Sequence, residues 1–225
     1  MLIGGLQKIS MIDYPEKLAA VIFTSGCNFC CPYCHNPELN QINSTQIIDE
    51  DFIFNFLKTR INKLDAIVIS GGEPTIQEDL LSFAKKIKNL GFLLKLDTNG
   101  FNPDIIKILL NENLLDYIAM DIKAPLEKYQ TFSKENLNLD NILKSIKIII
   151  KSNIDYEFRT TVTKSLLSYD DFLNIGNMLS GAKKYYLQKY VSCIKNDYVD
   201  ETYSDIEFAE IINLLKPFII DIKLR

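Results

Sequence analysis

Six short runs rich in β-branched and aromatic residues, each followed by a stretch of helical periodicity, restrict this chain to an alternating β/α architecture. The runs are residues 19–24 (AAVIFT), 66–70 (AIVIS), 93–97 (LLKLD), 117–122 (YIAMDI), 155–163 (DYEFRTTVT) and 185–190 (YYLQKY). Between them, apolar residues recur every three or four positions. Ile53, Phe56, Leu57, Ile61 and Leu64 do so, as do Ile105, Ile106, Leu109 and Leu110, then Leu139, Ile142, Leu143, Ile146, Ile149 and Ile150. Asn102 and Pro103 read as an N-cap followed by a proline at the first helical position. Further helices are expected near 78–90, 169–180 and 204–216, and the closing PFIIDIKLR suits a short edge strand.

Strands that alternate with helices imply a parallel sheet with right-handed crossovers. A strand buried between two helix layers reads apolar on both faces. Here several strands carry one polar face. Asp155, Glu157, Arg159, Thr161 and Thr163 alternate with Tyr156, Phe158, Thr160 and Val162, while Lys95 shares a face with Asp97 and Asp121 with Lys123. Such faces suit a wet lumen better than a doubly wound sheet. The expected fold is therefore α/β, a partial (β/α)6 TIM-like barrel with parallel strands and an open side, formed as one domain over residues 1–225. Polar motifs recur at the same place in successive units: GCNFCCPYCH after the first strand, GGEPT after the second, DTNG after the third and DIK at the end of the fourth. In parallel β/α architectures that end of the strands is the active-site face.

The chemistry concentrates in Cys27, Cys31 and Cys34, spaced C-x3-C-x2-C. Three thiolates on one loop can hold three corners of a cubane iron–sulfur cluster and leave the fourth iron open for a ligand. The same loop also parses as two abutting C-x2-C pairs, Cys27/Cys30 and Cys31/Cys34, a possible zinc set. Zinc pairs usually stand a dozen or more residues apart, so the cluster is the better reading. The chain has five cysteines, an odd count with four inside eight residues, which speaks against a disulfide framework. With His35 the only histidine, triads and histidine-rich metal sites have little to work with.

Composition narrows the partners. No apolar run approaches the ~18 residues of a membrane span, and the N-terminus has neither a basic region nor a continuous apolar stretch like those of signal peptides. The chain is expected in the cytoplasm. A net charge of −4 argues against broad binding of nucleic acid or acidic membranes.

The segment IDYPEKLAAVIFTSGCNFCCPYCHNPEL, with GGEPT, LDTNG and MDIKAP behind it, resembles the radical S-adenosylmethionine superfamily. Within it the chain is similar to the activating proteins of glycyl radical enzymes, in particular the compact type that serves anaerobic (class III) ribonucleoside-triphosphate reductase. The resemblance implies a [4Fe–4S] cluster on Cys27, Cys31 and Cys34. Its open iron would chelate S-adenosylmethionine, whose reductive cleavage gives a 5′-deoxyadenosyl radical. It further implies that Gly71, Gly72 and Glu73 meet the methionine ammonium group, and that Tyr33 lies on the adenine side. Asp97, Thr98 and Asp121 would stand near the methionine carboxylate, with a monovalent cation held against it. Lys123 and Arg159 would add positive charge, and Gln188 is a weaker candidate for the ribose or adenine. The implied partners are a glycyl radical enzyme as protein substrate and flavodoxin or ferredoxin as electron donor. Cys30 departs from the family, which has a polar residue there, and reads as a spare thiol. His35 reads as a loop-ordering residue or as a contact near the cluster, and the isolated Cys193 as structural. Two other readings stay open: a radical enzyme acting on a small molecule, such as 7-carboxy-7-deazaguanine synthase, and a non-enzymatic module stabilised by metal.

Overall fold

The computed structural model describes residues 1–40, 47–133, 136–192 and 197–225. Cys193 lies outside them. The fold is α/β, with eight strands ordered along the sheet as in the sequence, from β1 at one edge to β8 at the other. Packing divides the chain into two compact units. The first comprises Met1–Asn28, Asn36–Thr98 and Asp104–Ile118; the second comprises Phe29–His35, Asn99–Pro103 and Ala119–Arg225.

The first unit holds β1 (Ile3–Ser10), β2 (Ala19–Thr24), β3 (Ala66–Gly71) and β4 (Leu93–Thr98), with helices α1 (Glu50–Lys58), α2 (Leu80–Asn89) and most of α3 (Pro103–Asn111). Strands β2 and β3 pair in parallel from Ala19↔Ala66 to Thr24↔Gly71, and β3 pairs with β4 in the same sense. Ala19, Val21, Ala66, Val68, Tyr14 and Tyr117 form one buried cluster. Ile53 and Leu57 of α1 are fully buried, each worth about 1.5–3 kcal/mol.

The helical periodicity that continues to Leu64 does not remain helical. Helix α1 stops at Lys58, where the Thr59 hydroxyl donates to the Phe56 carbonyl at 2.7 Å. Asn62 then takes a left-handed φ of 62° and turns the chain toward β3. Ile61 is left exposed, while Leu64 is buried just ahead of the strand.

β1 is the strand that sequence reading does not find. It runs antiparallel to β2, with irregular register between Ile3 and Gly5 and between Gln7 and Ser10. IGGLQKIS carries two glycines and no clean alternation, as suits an irregular edge strand.

The second unit holds β6 (Asp155–Val162), β7 (Lys184–Lys189) and β8 (Asp221–Leu224), with α4 (Asp140–Ile150), α5 (Tyr169–Met178) and α6 (Asp205–Leu215). Strand β5 (Tyr117–Asp121) contains the division between the units. β6, β7 and β8 pair in parallel, so the expected closing edge strand forms. Helices α5 and α6 both open with capping boxes, Ser168 with Asp171 and Ser204 with Glu207. The strand limits lie within a residue of those expected from the sequence. The polar face of β6 is not uniformly wet, since Glu157 and Thr163 are buried. The buried Glu157 carboxylate persists there because the Arg225 guanidinium pairs with it.

Candidate functional site

In the first unit the polar side chains gather at the carboxyl ends of β2, β3 and β4. Gly71 closes β3 with φ at 109°, and a Cβ there would meet the Thr24 backbone at 2.4 Å. A Cβ on Gly72 would lie 2.0 Å from the Gly26 carbonyl oxygen. Only glycine permits this approach. The Gly72 amide thereby donates to the Thr24 carbonyl at 2.9 Å, and the Glu73 amide to the Gly26 carbonyl at 2.8 Å. The GGE turn is thus stitched to the residues immediately before Cys27.

Glu73 is 1% exposed. Its Oε1 accepts from the Thr75 amide at 3.0 Å, the Thr75 hydroxyl at 2.6 Å and the Thr98 hydroxyl at 2.7 Å. Thr98, together with Thr75, therefore positions Glu73. Asp97 has its own partners: the Ser70 hydroxyl donates to Oδ2 at 3.2 Å, and the Lys95 ammonium stands 2.8 Å from Oδ1. Lys95 is buried, and it also donates to the Asp13 carbonyl at 2.6 Å. The structure therefore brings Gly71, Gly72, Glu73, Asp97 and Thr98 together at this end of the strands.

The second unit holds the rest of the cysteine loop. The Cys30 amide donates to the Phe132 carbonyl at 2.8 Å, and the Cys34 amide to the Cys31 carbonyl at 3.1 Å. Aromatic rings anchor the loop: Phe29 packs on Tyr129 and Phe101, and Tyr33 on Phe132 and Tyr198. Tyr129 and Phe132 come from a 3₁₀ segment, Leu126–Phe132. They are site-supporting residues that sequence reading misses, and their only signal is the run of aromatic positions after DIK. His35 donates through Nε2 to the Val191 carbonyl at 3.0 Å and so helps to order the loop.

Burial pushes the Cys31 thiol up to about 11, against the opposing pull of Lys123. A thiol in such a place stays neutral until a metal displaces its proton. Burial also raises Tyr33 well above the usual phenol range. Its buried hydroxyl has no hydrogen-bond partner among the described residues. Lys123 Nζ stands 6.0 Å from the Tyr33 ring centroid and 3.1 Å from Asp121 Oδ2. Arg159 Nε donates to Asp121 Oδ1 at 2.8 Å. Burial opposes ionisation of Asp121, but Arg159 and Lys123 outweigh it and hold the carboxyl well below the usual range. The Asp121 carboxylate in turn keeps Lys123 charged despite its burial. Asp121, Lys123 and Arg159 therefore form one constellation. Gln188 stands apart on β7, in register with Thr161.

Among the described residues, no three histidine, cysteine or acidic side chains converge as ligands of a single metal ion. A cubane cluster asks something different, since each thiolate meets its own iron. The donor set, thiolates on an aromatic-anchored loop with a partnerless buried hydroxyl beside them, fits a cluster with an organic ligand. The positive charge that a monovalent cation would bring is already supplied by Lys95 at Asp97 and by Lys123 and Arg159 at Asp121.

Residues 21–175, more than half of the chain, match the Radical SAM superfamily. The chain belongs to that superfamily. It is accordingly a radical S-adenosylmethionine enzyme, and the family's cofactors are a [4Fe–4S] cluster and S-adenosylmethionine. A Methanocaldococcus jannaschii protein provisionally named a glycyl-radical enzyme activating enzyme is 35% identical over 235 residues, covering 100% of this chain and 95% of its own. The pyruvate formate-lyase-activating enzyme of Clostridium pasteurianum is 26% identical over 217 residues, covering 91% of this chain and 90% of its own. Among solved structures, a radical SAM methyltransferase from Sphaerobacter thermophilus matches with a TM-score of 0.76 at 14% identity, over 96% of this chain and 68% of that one. Streptococcus suis SuiB bound to S-adenosylmethionine matches with a TM-score of 0.68 at 13% identity, over 91% of this chain. The chain spans about half the length of SuiB, 49%. At these identities the structural matches establish the fold, the open radical SAM barrel type, and nothing of substrate.

No described helix is long and apolar enough to cross a membrane.

Proposed function

We propose that this radical SAM enzyme is a glycyl-radical-enzyme activase, and that its partner is an anaerobic ribonucleoside-triphosphate reductase. The observation that carries the activase reading is the 35% identity to a protein of that description over essentially both full lengths.

In this reading Cys27, Cys31 and Cys34 hold the [4Fe–4S] cluster. When bound, the cluster and S-adenosylmethionine supply the one-electron chemistry that yields a hydrogen-abstracting 5′-deoxyadenosyl radical. The protein's part is to bind and orient. Gly71 and Gly72 bare their backbone for the methionine ammonium group, and Glu73, fixed by Thr75 and Thr98, offers it a carboxylate. Lys123 and Arg159 supply positive charge toward the methionine carboxylate, with Asp121 aligning both. The Tyr33 hydroxyl, partnerless among the described residues, is a donor for the nucleoside. Gln188 is a secondary contact for ribose or adenine. The electron comes from a separate flavodoxin or ferredoxin, and the hydrogen from a glycine on a loop of the partner enzyme.

The test is anaerobic. Reconstituted protein is reduced with S-adenosylmethionine in the presence of the class III reductase, and the partner is examined by EPR. A glycyl doublet on the partner is expected. Turnover of a small molecule such as a deazaguanine precursor, with no partner radical, overturns the activase reading. A colourless protein that binds zinc overturns the enzyme reading altogether. Cys31→Ala is expected to abolish the brown absorbance near ~400 nm that marks the cluster, while Cys30→Ala retains it.

A further inference from the structure

Five charged side chains of the second unit alternate in sign along a continuous path: Arg225, Glu157, Arg159, Asp121 and Lys123. Arg225 grips Glu157 with both ends of its guanidinium group, Nη1 to Oε1 at 3.0 Å and Nη2 to Oε2 at 3.2 Å. Arg159 Nη1 stands 4.0 Å from the same Oε1. Arg159 Nε meanwhile donates to Asp121 at 2.8 Å, and Asp121 accepts from Lys123 at 3.1 Å. The Glu157 side chain is 1% exposed, so its carboxylate needs compensation from within the protein.

Arg159 is thus placed between two carboxylates and serves the nearer. What keeps it there is the pairing of Glu157 with Arg225. A two-pronged guanidinium–carboxylate pair is among the strongest hydrogen-bonded ion pairs, and its geometry is directional. Arg225 is itself fixed. Its guanidinium carbon lies 3.4 Å from the Tyr186 ring centroid. Its amide donates to the Leu187 carbonyl at 2.8 Å, and its carbonyl accepts from the Lys189 amide at 3.0 Å. Remove Arg225, and Arg159, already 4.0 Å away, is a cation within reach of the buried Glu157 carboxylate. Rotation of that guanidinium toward Glu157 takes Nε away from Asp121.

We propose that Arg225 and Glu157 are positioning residues that hold Arg159 against Asp121, and so set the cationic face offered to the carboxylate of S-adenosylmethionine. Neither residue touches the ligand. Arg225 acts by satisfying Glu157, and Glu157 is a competitor for Arg159 once Arg225 is gone. The inference rests on the assignment of Asp121, Lys123 and Arg159 to the ligand under the proposed function.

Its signature is a reversal of sign between two substitutions. Arg225→Ala is expected to weaken S-adenosylmethionine binding about ten-fold, a 1.4 kcal/mol effect. Adding Glu157→Gln to Arg225→Ala removes the competing charge and restores most of that loss. Arg225→Lys, a point charge without the fork, falls between. Arg225 is partly exposed and lies beyond the last strand, and far-ultraviolet dichroism checks that each variant is folded before it is read.

Two readouts are taken on the full-length, cluster-loaded chain and on the same chain without cluster. One is the dissociation constant of S-adenosylmethionine by anaerobic equilibrium dialysis. The other is the exchange rate of the Arg159 Nε–H with solvent by NMR, slow when that proton is bonded to Asp121. The proposal expects the Nε–H to exchange faster in Arg225→Ala and to slow again in Arg225→Ala/Glu157→Gln. Unchanged exchange in Arg225→Ala overturns it, as does a double variant that binds worse than Arg225→Ala. Arg159→Ala separates the two layers of argument. If that substitution leaves binding untouched while the exchange pattern behaves as expected, the assignment of Arg159 to the ligand fails and the positioning relation stands. If Arg159→Ala weakens binding while Arg225→Ala alters neither readout, the positioning relation fails and the site assignment stands.

Discussion

Three buried or half-buried carboxylates, Glu73, Asp97 and Asp121, are given different work by their neighbours. Glu73 is fixed by neutral donors, two hydroxyls and an amide. Asp97 faces the buried Lys95 ammonium. Removing that cation by Lys95→Met strands a buried carboxylate, and such losses run to about 3–5 kcal/mol. A urea midpoint equal to that of the parent would overturn this account of Lys95. Because lysine and arginine supply the positive charge at Asp97 and Asp121, exchanging potassium for tetramethylammonium at constant ionic strength is expected to leave S-adenosylmethionine cleavage unchanged. A strict potassium requirement would show that the side-chain cations do not suffice. For Asp121 the sign with pH is definite. Burial acts against its charge, but Arg159 and Lys123 depress its folded-state value below that of the unfolded chain. Its stabilisation is therefore complete above about pH 4, the ordinary carboxylate value, and is lost as pH falls toward the folded value. The stability gap between the parent and Asp121→Asn should be widest near neutrality and narrow on acidification, as read from urea denaturation at stepped pH.

At the scale of elements, what could be read from the sequence was whatever local periodicity and local chemistry enforce. Period-two alternation marks β6, and Asn102 with Pro103 marks the start of α3; in the structure Ser168 with Asp171 and Ser204 with Glu207 open α5 and α6 as capping boxes. Ser168→Ala should cost about 1 kcal/mol, since it removes a cap from an amide that has no other intrahelical partner. The thermal midpoint reports it, and activity at low temperature should not change. Gly72→Ala makes a harsher demand. The added carbon would fall 2.0 Å from the Gly26 carbonyl oxygen, so the turn that carries Cys27 has to shift. Overpacking of this kind costs about 1–3 kcal/mol, and the expected result is a soluble protein with reduced iron content after reconstitution. Full iron content in Gly72→Ala would mean that the turn accommodates a side chain. What could not be read depended on partners far away in the chain. Glu157 and Arg225 are 68 positions apart, and the rings that seat the cysteine loop come from Leu126–Phe132, a segment with no periodic pattern. Ile61 and Leu64 fit a helical stripe by spacing alone, yet α1 ends at Lys58, because the turn at Asn62 is set by the need to enter β3.

On the scale of the whole molecule, the division into two units is unlike that of two domains joined by a linker. The boundaries fall after Asn28, His35, Thr98, Pro103 and Ile118. Each unit is therefore assembled from separated segments, and the last boundary lies inside strand β5. Domain boundaries normally run through exposed connections that few contacts cross. A hydrogen-bonded strand with Ile118, Ala119 and Met120 fully buried is no such connection. Neither unit can be freed by a single cut, and melting either one removes part of β5 from the other. The chain should therefore unfold as one cooperative body. The measurement is urea denaturation followed in parallel by far-ultraviolet dichroism and by two site-specific probes, one on α2 in the first unit and one on α6 in the second. Coincident transitions with one slope are expected. Two separated midpoints, with the α2 and α6 probes reporting different ones, would show instead that the units are thermodynamically independent and that β5 serves as a hinge.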